Sequence, residues 1–284
     1  MFREGEYGTS FYLIESGTAV AFLHYGEENQ RRLSEMKTGQ YFGEMAVIEA
    51  WPRSATVVAE GELQVTEIPE AGLNQYFKEA PERILAIMKQ LSARIRTLTE
   101  EYDEVTAFLQ DRQTGEAQKK SGFTDRLKKY LEASRVFGKY FGTTDRDAVV
   151  SSAGSLDNSP LPIRVCHRGQ LIFREGDEAR TMFAVHGGAV GIYTNYGTAL
   201  EKKLTTLYAN SFFGEMGMID QEPRSATAVV EEDSTILESI GPEDLQKLFE
   251  VNPLEVDMMM RHLSGRLRRL TLDYARACGE AAGA

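Results

Sequence analysis

Two acid–base pairs stand at one spacing: Glu44 with Arg53, and Glu215 with Arg224, nine residues apart each time. A carboxylate accepts strongly from a sugar hydroxyl, and a guanidinium forks onto phosphate oxygens. A small ligand with one hydroxyl edge and one phosphate edge suits such a pair. Gly43, matched by Gly214 in the second copy, lets backbone N–H groups approach an anion. A short helix beginning at Glu44 would aim its positive end at the same place. Small Ala55 and Ala226 keep the following strand close to the ligand.

These pairs belong to an internal repeat. Phe2-Arg3-Glu4-Gly5 recurs as Phe173-Arg174-Glu175-Gly176, Phe42-Gly43-Glu44-Met45 as Phe213-Gly214-Glu215-Met216, and Pro52-Arg53-Ser54-Ala55-Thr56 as Pro223-Arg224-Ser225-Ala226-Thr227, all at an offset of 171. Leu73 and Leu245, and Leu91-Ser92 and Leu263-Ser264, follow at 172, so one residue has been added in a turn. A register this long indicates duplication.

Each copy opens with short apolar runs punctuated by glycine, which predict strands of about 4–7 residues joined by tight turns. Each closes on a helical pattern. Pro81 sits where a helix can begin without needing its missing N–H. From there Ile84, Met88, Leu91, Ile95, Leu98, Tyr102, Val105 and Leu109 alternate steps of four and three. Val256, Met260, Leu263, Leu267, Leu270, Tyr274 and Ala277 do the same in the second copy. Such heptads predict a coiled-coil seam. The two seams share a register, with Leu98 expected opposite Leu270, so the chain is expected to form an intramolecular pseudo-dimer, or else a homodimer, through the long helices.

Domain expectations follow: 1–112 for the first roll and its helix, 113–160 for a connecting segment, and 161–284 for the second roll and its helix. Within the connection, Phe123 to Phe141 fits an amphipathic helix with a basic, solvated face, and Gly142 to Pro162 a flexible linker. The first copy starts at the equivalent of Ile172, so it lacks the opening strand that Ile163 to Leu171 supplies in the second. An unpaired sheet edge exchanges readily. Residues 11–22 are therefore expected to exchange faster than 182–193.

The segment Gly39 to Thr56 and its copy resemble the phosphate-binding cassette of cyclic-nucleotide-binding domains, as in the catabolite activator protein and the regulatory subunit of cAMP-dependent kinase. The resemblance extends over roughly 1–109 and 163–278. It implies an α+β fold: two jelly-roll-like β-rolls, each followed by a long heptad-patterned helix. It implies a 3′,5′-cyclic mononucleotide as ligand, with no further cofactor. Glu44 and Glu215 would bind the ribose 2′-hydroxyl, Arg53 and Arg224 the cyclic phosphate, and Ser54 and Ser225 would add a hydroxyl contact. Phe42, Gly43, Met45, Ala46 and Ala55, with Phe213, Gly214, Met216, Gly217 and Ala226, complete the two cassettes. Tyr102 and Tyr274 fall near where a helix residue of the family meets the base; seam packing is the plainer role for both. Two departures are mild. Gly217 replaces Ala46, and Asn210 replaces Gly39, where Asn tolerates left-handed backbone. The alternative is a roll that has lost its ligand and keeps Glu44 and Arg53 as an ion pair.

Other classes are disfavoured. A net charge of −11, from 32 basic and 43 acidic side chains, works against direct nucleic-acid binding. The helix-turn-helix of the family's transcription factors has no counterpart in the pattern. Cys166 and Cys278 have no partners at metal spacing and read as free thiols in a reducing cytoplasm. No apolar run approaches the ~20 residues of a membrane span, and no signal-peptide profile opens the chain. Four histidines join no catalytic constellation. The expectation is therefore a cytoplasmic sensor, not an enzyme, with no metal site and a protein partner as one route for its output. A ligand-free interaction module, or a transcriptional regulator without its own reader, are the alternatives.

Overall fold

The computed structural model describes residues 1–28, 30–114 and 160–283. The first copy carries β1 (Ser10–Ser16), β2 (Thr18–Leu23), β3 (Arg31–Lys37), β4 (Tyr41–Phe42), α1 (Glu44–Ile48), β5 (Thr56–Ala59), β6 (Gln64–Pro69), α2 (Leu73–Glu79) and α3 (Glu82–Thr114). The second carries β7 (Ile163–Cys166), β8 (Leu171–Phe173), β9 (Met182–Gly187), β10 (Val190–Thr194), β11 (Lys202–Leu207), β12 (Ser211–Phe213), α4 (Glu215–Asp220), β13 (Thr227–Val230), β14 (Thr235–Ile240), α5 (Asp244–Val251) and α6 (Pro253–Gly283). The fold is the mixed one expected, with two β-rolls of antiparallel strands and a long helix closing each copy. The expected helix at 123–141, and all but the end of the linker, lie outside the described residues.

Each roll closes two sheets on an apolar core. In the first, β4-β1-β6 faces β3-β2-β5 around Ile14, Ala19, Ala21, Phe42, Ala55 and Val57. In the second, β12-β9-β14-β7 faces β11-β10-β13-β8 around Phe183, Val185, Val190, Phe213, Ala228 and Leu237. The turns carry the backbone that glycine signals: Gly39 has φ of 84°, and Asn210, its counterpart, takes φ of 67°.

The difference in strand number corrects one expectation. What forms β8 in the second roll shrinks in the first to the bridge Phe2↔Val57, and no described strand corresponds to β7. Among the described residues β6 therefore ends its sheet, whereas β14 lies between β9 and β7. Residues 11–22 are central, because β1 lies between β4 and β6 and β2 between β3 and β5. Faster exchange should thus be sought in β6, not in 11–22.

The described residues fall into two compact units, discontinuous in sequence. One gathers Met1–Tyr76, α3 from Ala93 onward and α6 from Leu263 onward. The other gathers Phe77–Ser92 and the chain from Pro160 to His262. The heptad residues are buried where the pattern places them: Ile84, Met88, Leu91 and Ile95 on α3, and Val256, Met260, Leu263 and Leu267 on α6. In the first unit α3 and α6 approach each other, since the Glu101 carboxylate acts on the Cys278 thiol. Burial first, and then that charge, push the thiol up to about 11, while Tyr274 opposes the rise. No helix among the described residues is long and apolar enough to cross a membrane.

Candidate ligand site

The cassette is built the same way twice. Gly43 and Gly214 cap α1 and α4 in left-handed conformation, φ 79° and 73°. A Cβ on either would come within 2.5 Å of an arginine Nη1, of Arg53 and Arg224 respectively. Only glycine therefore gives both the turn and the space. Glu44 and Glu215 open the two short helices and are nearly fully buried, at 2% and 3% exposure.

Arg53 lies beside the start of α1, at 3% exposure. Its Nη1 donates to Gly43 O at 2.7 Å and its Nη2 to Ser10 O, and its guanidinium lies 4.1 Å from the Phe2 ring centroid. Arg224 repeats the arrangement: Nη1 to Gly214 O at 2.6 Å, Nη2 to Thr181 O at 2.5 Å, and 4.2 Å from the Phe173 ring. The backbone follows suit, with Gly5 N donating to Arg53 O and Gly176 N to Arg224 O, both at 2.8 Å. Desolvation lowers the pKa of both guanidiniums, against nearby negative charge that raises it. Each Nε is buried with no hydrogen-bond partner among the described residues. A buried donor without an acceptor costs about 1–3 kcal/mol, so this N–H fits an oxygen arriving from a ligand.

Glu44 does not pair directly with Arg53 within the described residues. Its Oε1 accepts from Arg94 Nη1 on α3, at 2.5 Å. Sequence reading missed Arg94. The signal was present, because Arg266 stands at the repeat-related position, on the flank of the same seam.

The remaining expected residues are placed as follows. Phe42 stacks on Tyr12 with centroids 5.1 Å apart, and Phe213 stacks on Phe183 at 5.2 Å. Ala46, Ala55, Gly217 and Ala226 are buried, and Met45 and Met216 half-buried. Met45, Ala46 and Ser54 line one pocket with Glu49, Trp51, Pro52 and Arg268. Arg268, on α6, reaches Glu49 at 2.5 Å and lies 4.9 Å from the Trp51 ring, while Ser264 also donates to Glu49. In the other unit, Ser92 on α3 donates to Asp220 Oδ2 at 2.8 Å and to the Met216 sulfur at 3.1 Å. These clasps were not foreseen either. Ser225 is exposed. Tyr102 is half-buried and Tyr274 fully buried, and both belong to the unit of the first cassette. Tyr274 is thus not brought together with the second cassette inside one unit. Among the described residues no group of His, Cys, Asp and Glu is arranged to hold a metal ion.

The cyclic nucleotide-binding domain model matches residues 1–80 and 163–252. The cGMP-dependent protein kinase of Toxoplasma gondii is 28% identical over 247 residues, which is 87% of this chain and 19% of that protein. The cyclic AMP receptor protein of Thermus thermophilus is 32% identical over 110 residues, 39% of this chain and 50% of that one. The solved regulatory domain of Toxoplasma gondii PKA with cAMP aligns over 91% of this chain and 79% of its own, at 17% identity and a TM-score of 0.28. The chain therefore spans about a fifth of the kinase it matches and half of the receptor protein. The family model covers most of both rolls, and the chain belongs to the cyclic nucleotide-binding domain family, with two such domains in tandem.

Proposed function

We propose that the chain is a sensing and regulatory protein, not an enzyme, that binds a 3′,5′-cyclic mononucleotide in each cassette. The observation that carries this reading is the pair of buried arginines whose Nε donors have no partner among the described residues. A cyclic phosphate supplies the oxygen those donors lack. Glu44 and Glu215, buried at the starts of α1 and α4, accept from the ribose 2′-hydroxyl. Binding at Glu44 competes with or joins the Arg94 pair, which gives α3 a direct stake in occupancy. The kinase and receptor relatives support cAMP and cGMP as the first ligands to try. Calorimetry with each should show two sites per chain. Silence with every 3′,5′-cyclic nucleotide would leave the other reading, a ligand-free interaction module. That reading is favoured by the backbone carbonyls that already hold both Nη atoms of each arginine.

The output runs through the long helices. Both seams contribute to the first unit, and the chain acts as an intramolecular pseudo-dimer that signals by changing shape or through a partner. A monomer mass in light scattering is expected; a dimer mass would replace the pseudo-dimer with a homodimer.

A further inference from the structure

The second unit buries a set of ionisable groups that the ligand site does not use. Glu255, in the first turn of α6, has no exposed surface, and neither has Glu238 on β14. His186 on β9 places its Nε2 2.6 Å from Glu238 Oε2, within hydrogen-bond distance. Glu255 Oε2 accepts from Asn252 Nδ2 at 3.2 Å, while its Oε1 is buried with no partner among the described residues. Asn252 is the corner itself. It caps α5, donates its N–H to Leu248 O at 2.7 Å, and has φ −139° and ψ 73° just before Pro253 opens α6.

Among the described residues the first copy has nothing of the kind. Glu15 and Thr66 stand at the places of His186 and Glu238, joined by an exposed hydrogen bond of 2.6 Å, and Arg83 stands at the place of Glu255. The cluster therefore belongs to one copy alone, although the arginine cradle is built the same way in both.

We propose that Glu255 is a proton-operated latch, which fastens the α5–α6 corner to the second β-roll when its carboxyl is protonated and loosens it when the carboxyl ionises. Three sets of groups act on Glu255: Glu238 from β14, His186 from β9, and Asn252 from the corner. A protonated carboxyl is tolerated in a buried site; a carboxylate there sits beside a second acid with one oxygen unpaired. The positive end of α6 favours the ionised form, but only as a partial charge. Burial and then Glu238 outweigh it, together with the opposing His186 and Asn252, and raise the Glu255 pKa to about 7. The sign follows. The docked corner keeps a proton that the released corner surrenders, from the ordinary carboxylate range up to about pH 7. Docking is thus strongest in acid, weakens as pH rises through that window, and levels off above it.

Hydrogen exchange of the full chain tests this across residues 253–262, from pH 5 to 8.5 and corrected for intrinsic exchange rates. Protection in the wild type should fall on the order of tenfold per pH unit up to about pH 7 and then flatten. Glu255→Gln, which mimics the protonated carboxyl, should hold the acid level of protection throughout. Glu238→Gln removes the neighbouring charge and should move the step towards acid, which keeps the idea testable if Glu255→Gln fails to fold. A flat wild-type profile, or the same step in wild type and Glu255→Gln, or a step that Glu238→Gln leaves in place, overturns the latch.

Discussion

The two cassettes share their floor and differ in their roof. Beneath α1 and α4 the match is close: an arginine held by two carbonyls, a ring below it, and a left-handed glycine above. Above, the first cassette has Trp51 and Glu49 gripped by Arg268 and Ser264, while the second has Asp220 held by Ser92, with Glu222 where Trp51 would be. Two copies within one chain have drifted under the same solvent and the same fold. What drift left alone is the arginine cradle, which is the part a charged ligand would use. What it changed is the part that tells one site from the other.

The largest expected effect tests the shared part. Arg53→Ala or Arg224→Ala should each cost roughly 2–5 kcal/mol of ligand affinity at its own site, as for truncating one side of a buried charge pair. Calorimetric stoichiometry should fall from two sites to one for either variant. Equal loss at both sites from a single substitution would mean that the cassettes are not separate.

Next comes the turn that makes the cradle possible. Gly43→Ala and Gly214→Ala force a side chain into left-handed backbone and against a guanidinium pinned by two hydrogen bonds. Each should destabilise its own unit by about 1–3 kcal/mol in chemical denaturation, with the two losses equal within error. A neutral result at one position would show that its arginine is free to move, and would break the likeness of the two floors.

Much of this was legible beforehand, because duplication prints each motif twice. Phe-Gly-Glu-Met and Pro-Arg-Ser-Ala-Thr at a single offset locate the cassettes, and the four-three rhythm locates α3 and α6. What periodicity does not encode is which roll a helix serves along its length. The heptads from Ile84 to Leu109 read as one seam, yet residues up to Ser92 join one unit and those from Ala93 the other. For that reason Ser92, Ser264 and Arg268 went unnoticed as cassette partners, and the pattern alone did not show that Tyr274 shares a unit with the first cassette. The difference in strand number among the described residues was legible too, but its consequence was misplaced. Which strand becomes the edge depends on sheet order, and adjacency in sequence put β1 and β2 under suspicion when β6 is exposed at the end. The His186, Glu238 and Glu255 cluster escaped for a similar reason, since His186 lies 52 residues from Glu238, and Glu255 on another element, until the roll folds.

The smallest effect belongs to the roof of the first cassette, and it reads out cleanly because Trp51 is the single tryptophan. Arg268 is 23% exposed and Glu49 7%, so the pair is neither fully screened nor fully buried. The guanidinium over the indole adds about 0.5–1 kcal/mol at such a site. Losing both contacts in Arg268→Ala should therefore cost about 1–2 kcal/mol, part of it for leaving a mostly buried carboxylate with less compensation. Trp51 should then meet more water, and its emission should move to longer wavelength. Arg268→Lys keeps the charge and loses the planar face, so it should fall between wild type and Ala in stability while showing most of the spectral shift. Affinity at the second cassette should not change, since its clasp runs through Ser92 and Asp220. An unchanged spectrum in Arg268→Ala would mean that the indole is held by the roll alone, and the roofs of the two cassettes would then differ in residues without differing in support.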